Sequence, residues 1–94
     1  MMERAGNVLR LSSALTIANV AALSETGKQQ FADTDMVVDL AGVTEVDSSA
    51  LSLMFEWQRE ARRRNIMISF INLPDSLFSL AKLYGVSDLI GSSA

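Results

Sequence analysis

The stretch Val46-Asp47-Ser48-Ser49-Ala50-Leu51 is where this chain concentrates side chains able to do chemistry. It forms a short polar elbow between an apolar run and a long amphipathic segment. That places hydroxyls at a helix N-terminus, where backbone N–H groups lack partners and the helix dipole is positive. A Ser48 hydroxyl there can cap the helix, hold an anion or serve as a docking point. As a cap it accepts a hydrogen bond from a first-turn N–H, and replacing such a residue by alanine costs about 1 kcal/mol. Asp39 and Asp47 sit near the two ends of the same strand–loop–helix unit and raise the alternative of a paired acid–base site. No histidine, lysine or glycine-rich pocket joins them in sequence, and bracing the elbow is the simpler role for Asp47.

Composition narrows the chemistry further. The chain has no histidine and no cysteine, which removes the usual general base near neutral pH, the commonest metal ligand, thiolate nucleophiles and disulfides. There is no P-loop, dinucleotide fingerprint or metal-ligand spacing, so no cofactor and no metal is expected. The longest apolar runs are about half a dozen residues against the ~20 needed to cross a bilayer, so direct membrane insertion is not expected. A net charge of −3 does not favour a nucleic-acid surface. The basic triplet Arg62-Arg63-Arg64 follows Glu56 and Glu60 and reads as a solvated last helical turn that complements the dipole. With 94 residues, 49% of them apolar, one domain over 1–94 with one core is expected. Absence of cysteine and of a signal-peptide pattern fits a cytosolic protein.

The elements that must position the elbow follow from periodicity. Met1 to Asn7 reads as a loose start and Val8 to Leu11 as a half-buried strand, with Ala14-Leu15 pairing beside it after a turn at Ser12-Ser13. Asn19 is a good N-cap for a helix carrying Val20, Leu23, Gly27 and Phe31 on one face. Gly27 inside that helix costs about 1 kcal/mol against alanine, so the helix is either weak there or closely packed. Met36 to Leu40, bounded by Asp33 and Asp35, reads as a strand covered on both faces. A helix over 49–64 and a strand over 66–71 complete a β-α-β unit with parallel strands. Asn72-Leu73-Pro74 then opens a helix with Leu77, Leu80, Ala81 and Tyr84 on one face and Gly85 as its C′ residue. Val86, Leu89 and Ile90 form a last apolar clasp.

The long helix has more apolar surface than one core requires. At 100° per residue, Leu51, Met54, Phe55 and Ala61 form the core stripe, while Ala50, Leu53 and Trp57 form a second one. Together they span about 200°, against the ~100° of a single buried face. The second stripe therefore packs under a neighbouring helix, or belongs to a partner surface beside Ser48 together with Asp47 and Ser49.

The element order and the segment Val46–Leu51 resemble the STAS domain, the module of anti-sigma-factor antagonists and of sulfate-transporter tails. In the antagonists the serine directly after the elbow aspartate is the phosphoacceptor, and that position is Ser48 here; Ala50 replaces the family glycine. A narrower resemblance, carried by Leu11-Ser12-Ser13-Ala14-Leu15-Thr16-Ile17-Ala18-Asn19-Val20 and by Leu80-Ala81-Lys82-Leu83-Tyr84-Gly85-Val86, is to the MlaB branch of bacterial Mla-type lipid-transport systems. Ile17 and Asn19 replace its usual phenylalanine and threonine, and Ser13 stands where many members have glycine. The resemblance implies an α/β STAS fold, a small mixed β-sheet with parallel strands covered by helices. It also implies a non-enzymatic cytoplasmic subunit that binds the cytosolic ABC ATPase through the elbow and sits at the inner face of the inner membrane through that partner. The alternative it implies is an antagonist of a serine-kinase anti-sigma factor.

Overall fold

The computed structural model describes residues 2–31 and 34–85. Its first two strands arise from a turn that the sequence reading passes over. Gly6, at φ +61°, and Asn7 fold Met2–Ala5 (β1) back onto Val8–Leu11 (β2) as an antiparallel pair. Gly-Asn is a hairpin signal because a left-handed φ carries no steric penalty at glycine. The expected loose start is therefore an edge strand. Its Arg4 donates from Nη1 to the Gln30 carbonyl at 2.8 Å.

Beyond β2 the chain runs through helix α1 (Val20–Gln29), strand β3 (Met36–Asp39), helix α2 (Ser49–Arg63), strand β4 (Ile68–Ile71) and helix α3 (Asp75–Leu83). The strands lie in the order β1-β2-β3-β4, with β2, β3 and β4 mutually parallel. The β-α-β reading of β3, α2 and β4 is borne out. Register aligns Leu9 with Val38 and Val38 with Phe70, and all three are fully buried. Residues one position away, Val8, Arg10, Val37 and Asp39, point to the opposite face and are only half-buried or exposed. Met36–Leu40 is thus buried on one face by the described residues, not on both as its apolar run suggests; Asp33 lies outside the described residues.

Leu15 does not pair beside β2. It forms a single parallel bridge to Val46, with Leu15 N–H donating to Glu45 O at 2.7 Å and Asp47 N–H donating to Leu15 O at 3.2 Å. This bridge draws the loop before α1 against the elbow. Asn19 likewise faces backward: its Oδ1 accepts from Thr16 N–H at 3.0 Å and its Nδ2 donates to Ala14 O, so its side chain braces the turn and does not cap α1.

The second stripe of α2 is buried, with Trp57 packed against α1. Ala50, Leu53 and Trp57 are 0–1% exposed, and the Trp57 indole N–H donates to Ser24 O at 3.2 Å. Gly27 is the close-packed alternative of its two readings, since a Cβ there would stand 2.1 Å from Trp57 Cζ2. Phe31 meets the same ring edge to face at 6.0 Å between centroids. At the far end of α2, Asn65 takes φ 60°, with Asn65 N–H donating to Arg62 O and Ile66 N–H to Ala61 O. This Schellman closure uses Ile66 in the cap, which is why β4 begins at Ile68 and not at 66.

The arginine triplet is exposed, as its sequence suggests, and two of its members also pair with a buried carboxylate. Glu60 is buried and pairs with Arg63 and Arg64, and Arg64 also donates to the Phe31 carbonyl at 3.1 Å, joining the C-terminal ends of α1 and α2. In α3, Leu77 and Ala81 are buried and Leu80 is partly so, but Tyr84 is exposed and outside the core stripe. Gly85, at φ +67°, closes the helix through Gly85 N–H to Lys82 O, as expected of a C′ glycine. The apolar clasp of Val86, Leu89 and Ile90 lies outside the described residues.

Candidate functional site

The elbow is built by Asp47. Its Oδ1 accepts from Ser49 N–H at 2.9 Å and from the Ser49 hydroxyl, while its main-chain carbonyl accepts from Ala50 N–H at 3.0 Å. These are the bonds of an N-cap residue, made by an aspartate whose charge also suits the positive end of the helix dipole. Ser48, the expected cap, has helical dihedrals (φ −63°, ψ −18°) and makes no side-chain cap bond. Its side chain is exposed and its hydroxyl has no hydrogen-bond partner among the described residues. Capping and presentation have been divided between adjacent residues.

Asp47 performs a second task with its other oxygen. Oδ2 accepts from Ile17 N–H at 3.0 Å, tying the loop before α1 to the elbow. The Ser49 hydroxyl foremost, then the Ile17 and Ser49 N–H groups, hold the Asp47 carboxyl below its ordinary value of 3.8. The Ile17 side chain is 80% exposed, a large apolar group held next to the hydroxyl tip. Sequence reasoning missed it as a site residue, because an isoleucine between a strand and a helix reads as buried until the Leu15–Val46 bridge shows how the loop is carried outward.

A family model described as the MlaB STAS domain matches residues 1–91. The chain belongs to the MlaB STAS-domain family. Members of that family are generally non-enzymatic regulatory or accessory proteins, and STAS domains act through protein–protein interactions. The STAS fold is also seen in two solved structures. One is a Thermotoga maritima protein provisionally assigned as an anti-sigma factor antagonist, with TM-score 0.79 at 12% identity, covering 98% of this chain and 83% of that one. The other is the anti-sigma factor antagonist SpoIIAA in its unphosphorylated form, with TM-score 0.75 at 16% identity, covering 98% and 84%. At these identities the likeness concerns the fold. Among curated proteins none matches.

Of the residues that the sequence assigns to the STAS docking surface, the structure gathers Asp47, Ser48 and Ser49 at one tip. Ala50, Leu53 and Trp57 are removed from it, since all three are buried in the core, Trp57 against α1. Their apolar stripe is explained by helix packing. The two carboxylates of the acid–base alternative share no partner. Asp39 accepts from Ala41 N–H at 2.9 Å and Asn72 Nδ2 at 3.0 Å and pairs with Arg10 at 3.7 Å. Those bonds, the Ala41 N–H first, lower its pKa as well. Two separately satisfied carboxylates with lowered pKa values lack the raised member that a general acid needs at neutral pH. Among the described residues no group of three or more acidic, histidine or cysteine side chains could hold a metal, and no helix is long and apolar enough to cross a membrane.

Proposed function

We propose that this STAS domain is a non-enzymatic accessory subunit that binds the cytosolic ATPase of an Mla-type phospholipid ABC transporter and supports its assembly and activity in outer-membrane lipid asymmetry. The carrying observation is the free, exposed Ser48 hydroxyl at the tip of α2, held out by an aspartate that has taken over the capping bonds. A side chain that contributes no bond to its own fold is available to a partner. The MlaB description of the matching family supports this choice of partner. The subunit is then cytoplasmic and reaches the inner face of the inner membrane only through the ATPase. Co-expression with that ATPase tests the reading: the two co-purify, and Ser48→Asp, which sets a carboxylate at the docking tip beside Asp47, weakens the complex. An ATPase that elutes alone refutes it.

A second reading, an antagonist of a serine-kinase anti-sigma factor, is favoured by the same free hydroxyl, which a kinase can reach at the positive end of α2. It requires ATP-dependent phosphate transfer to Ser48 by a kinase-type anti-sigma factor. Loss of the transferred label in Ser48→Ala separates it from the first.

A further inference from the structure

We propose that Ile17 is the apolar anchor of the docking site, inserted into a hydrophobic pocket on the ATPase whose rim is cationic. The inference rests on the docking role proposed for Ser48 and deepens it. Exposure alone does not single out Ile17, at 80% exposed, since Met67 and Leu83 are nearly as exposed, but Ile17 is not loosely displayed. Its own N–H donates to Asp47 Oδ2 at 3.0 Å, and the two residues before it are fixed by the Leu15–Val46 bridge and by Thr16 N–H donating to Asn19 Oδ1. Asp47 thereby presents two groups together, Ile17 through one oxygen and, through the Ser49 bonds of the other, the turn that carries Ser48. Presentation on a braced loop lowers the ordering cost of binding, which favours a side chain of this kind as an interface anchor.

The charge around this tip fixes the chemistry of the partner. The two segments that build it, 16–19 and 44–52, contain Glu45 and Asp47 and no lysine or arginine. Glu45 is exposed and makes no ion pair among the described residues. A tip with an apolar centre and an uncompensated acidic edge is complementary to an apolar pocket bordered by basic side chains.

The full chain and the purified ATPase subunit, titrated calorimetrically, test this. Ile17→Asp and Ile17→Ala should each bind at least about tenfold more weakly than the parent, as for removal of an interface anchor, while their melting temperatures stay at the parent value because the side chain packs against little. Glu45→Lys should also weaken binding, by a factor that shrinks as salt is raised. If the parent binds and both Ile17 variants bind equally well, the anchor is refuted and the docking reading stands. If Glu45→Lys binds as tightly or more tightly, the cationic rim is refuted. If the parent does not bind the ATPase at all, the docking reading fails and the anchor falls with it.

Discussion

One helix of this domain carries two regions with opposite solutions to the same surplus of apolar and polar side chains. Midway along α2, Trp57 is completely buried, its ring filling the space where Gly27 lacks a side chain and its indole N–H satisfied by Ser24 O. At the N-terminus of the same helix, Ser48 and Ile17 are exposed, and the bonds that hold them belong to their neighbours. The first region commits its contacts to the fold, whereas the second holds an isoleucine and a hydroxyl out of it. A residue of the first cannot be changed without disturbing structure, whereas on the proposed reading Ser48 and Ile17 can be changed with effects confined to partners.

The largest test of that contrast is Trp57→Ala. Removing a fully buried tryptophan leaves a cavity between α1 and α2, at a cost of about 3–5 kcal/mol against a total stability of about 5–15 kcal/mol for a domain of this kind. Chemical denaturation should show the loss directly; a variant of unchanged stability would return Trp57 to the surface. Gly27→Ala is the companion. Helix propensity favours alanine by about 1 kcal/mol, but the new Cβ would meet the indole at 2.1 Å. Overpacking wins, with a net loss of about 1–3 kcal/mol. In the Trp57→Ala background the same change should become stabilising, because the clash is gone and only the propensity gain is left. A penalty of equal size in both backgrounds would show that the ring is not what excludes a side chain at 27.

These two positions also show how much of the fold was legible beforehand. Period 3.6 gave both stripes of α2, and the order of strands and helices gave the parallel β3 and β4. A glycine at 27 inside a helix means either weakness or close packing, and sequence alone leaves both open. What periodicity lacks is the identity of the cover: Ala50, Leu53 and Trp57 read equally well as core or as interface until their burial, and the packing of Trp57 against α1, are seen. The hairpin at Gly6-Asn7 is announced by its turn residues, although the polar composition of Met1 to Asn7 reads as a loose start. At the elbow, residue types were legible but roles were exchanged, since a serine and an aspartate in succession can both cap and the choice is made by backbone dihedrals that the sequence does not display. Ile17 was hidden for a different reason, because its exposure depends on a bridge between residues 31 positions apart.

Asp47 belongs to the tip and bonds both of its limbs, so its role there is structural. Its lowered pKa gives the sign of the pH dependence. A carboxylate whose native pKa lies below the unfolded one adds stability above the ordinary carboxylate pKa of about 4, and that contribution is lost as pH falls through the depressed native value. Asp39 and Glu60, held low chiefly by the Ala41 N–H and by Arg64 respectively, act with the same sign. Thermal melting followed downward from pH 6 should therefore show a falling melting temperature on entry to the carboxylate range. Asp47→Asn should lower the melting temperature at pH 7 and flatten this acid limb. An acid limb as steep as that of the parent would mean that Asp47 keeps an ordinary pKa and that its bonds to Ser49 and Ile17 do not persist in solution.

The smallest expected effect is the sharpest discriminator. A serine at the start of a helix is usually worth about 1 kcal/mol as a cap, and Ser48→Ala would lose that much if its hydroxyl bonded a first-turn N–H. Here Ser49 N–H is already taken by Asp47 Oδ1, Ala50 N–H by the Asp47 carbonyl and Leu51 N–H by the Ser48 carbonyl, which alanine retains. The hydroxyl has nothing left to cap. Ser48→Ala should accordingly change unfolding free energy by less than about 0.5 kcal/mol, within the range of a surface substitution, and alter only partner binding. A loss near 1 kcal/mol, measured by urea titration, would place Ser48 back in the structural region and remove the basis for reading its hydroxyl as offered outward.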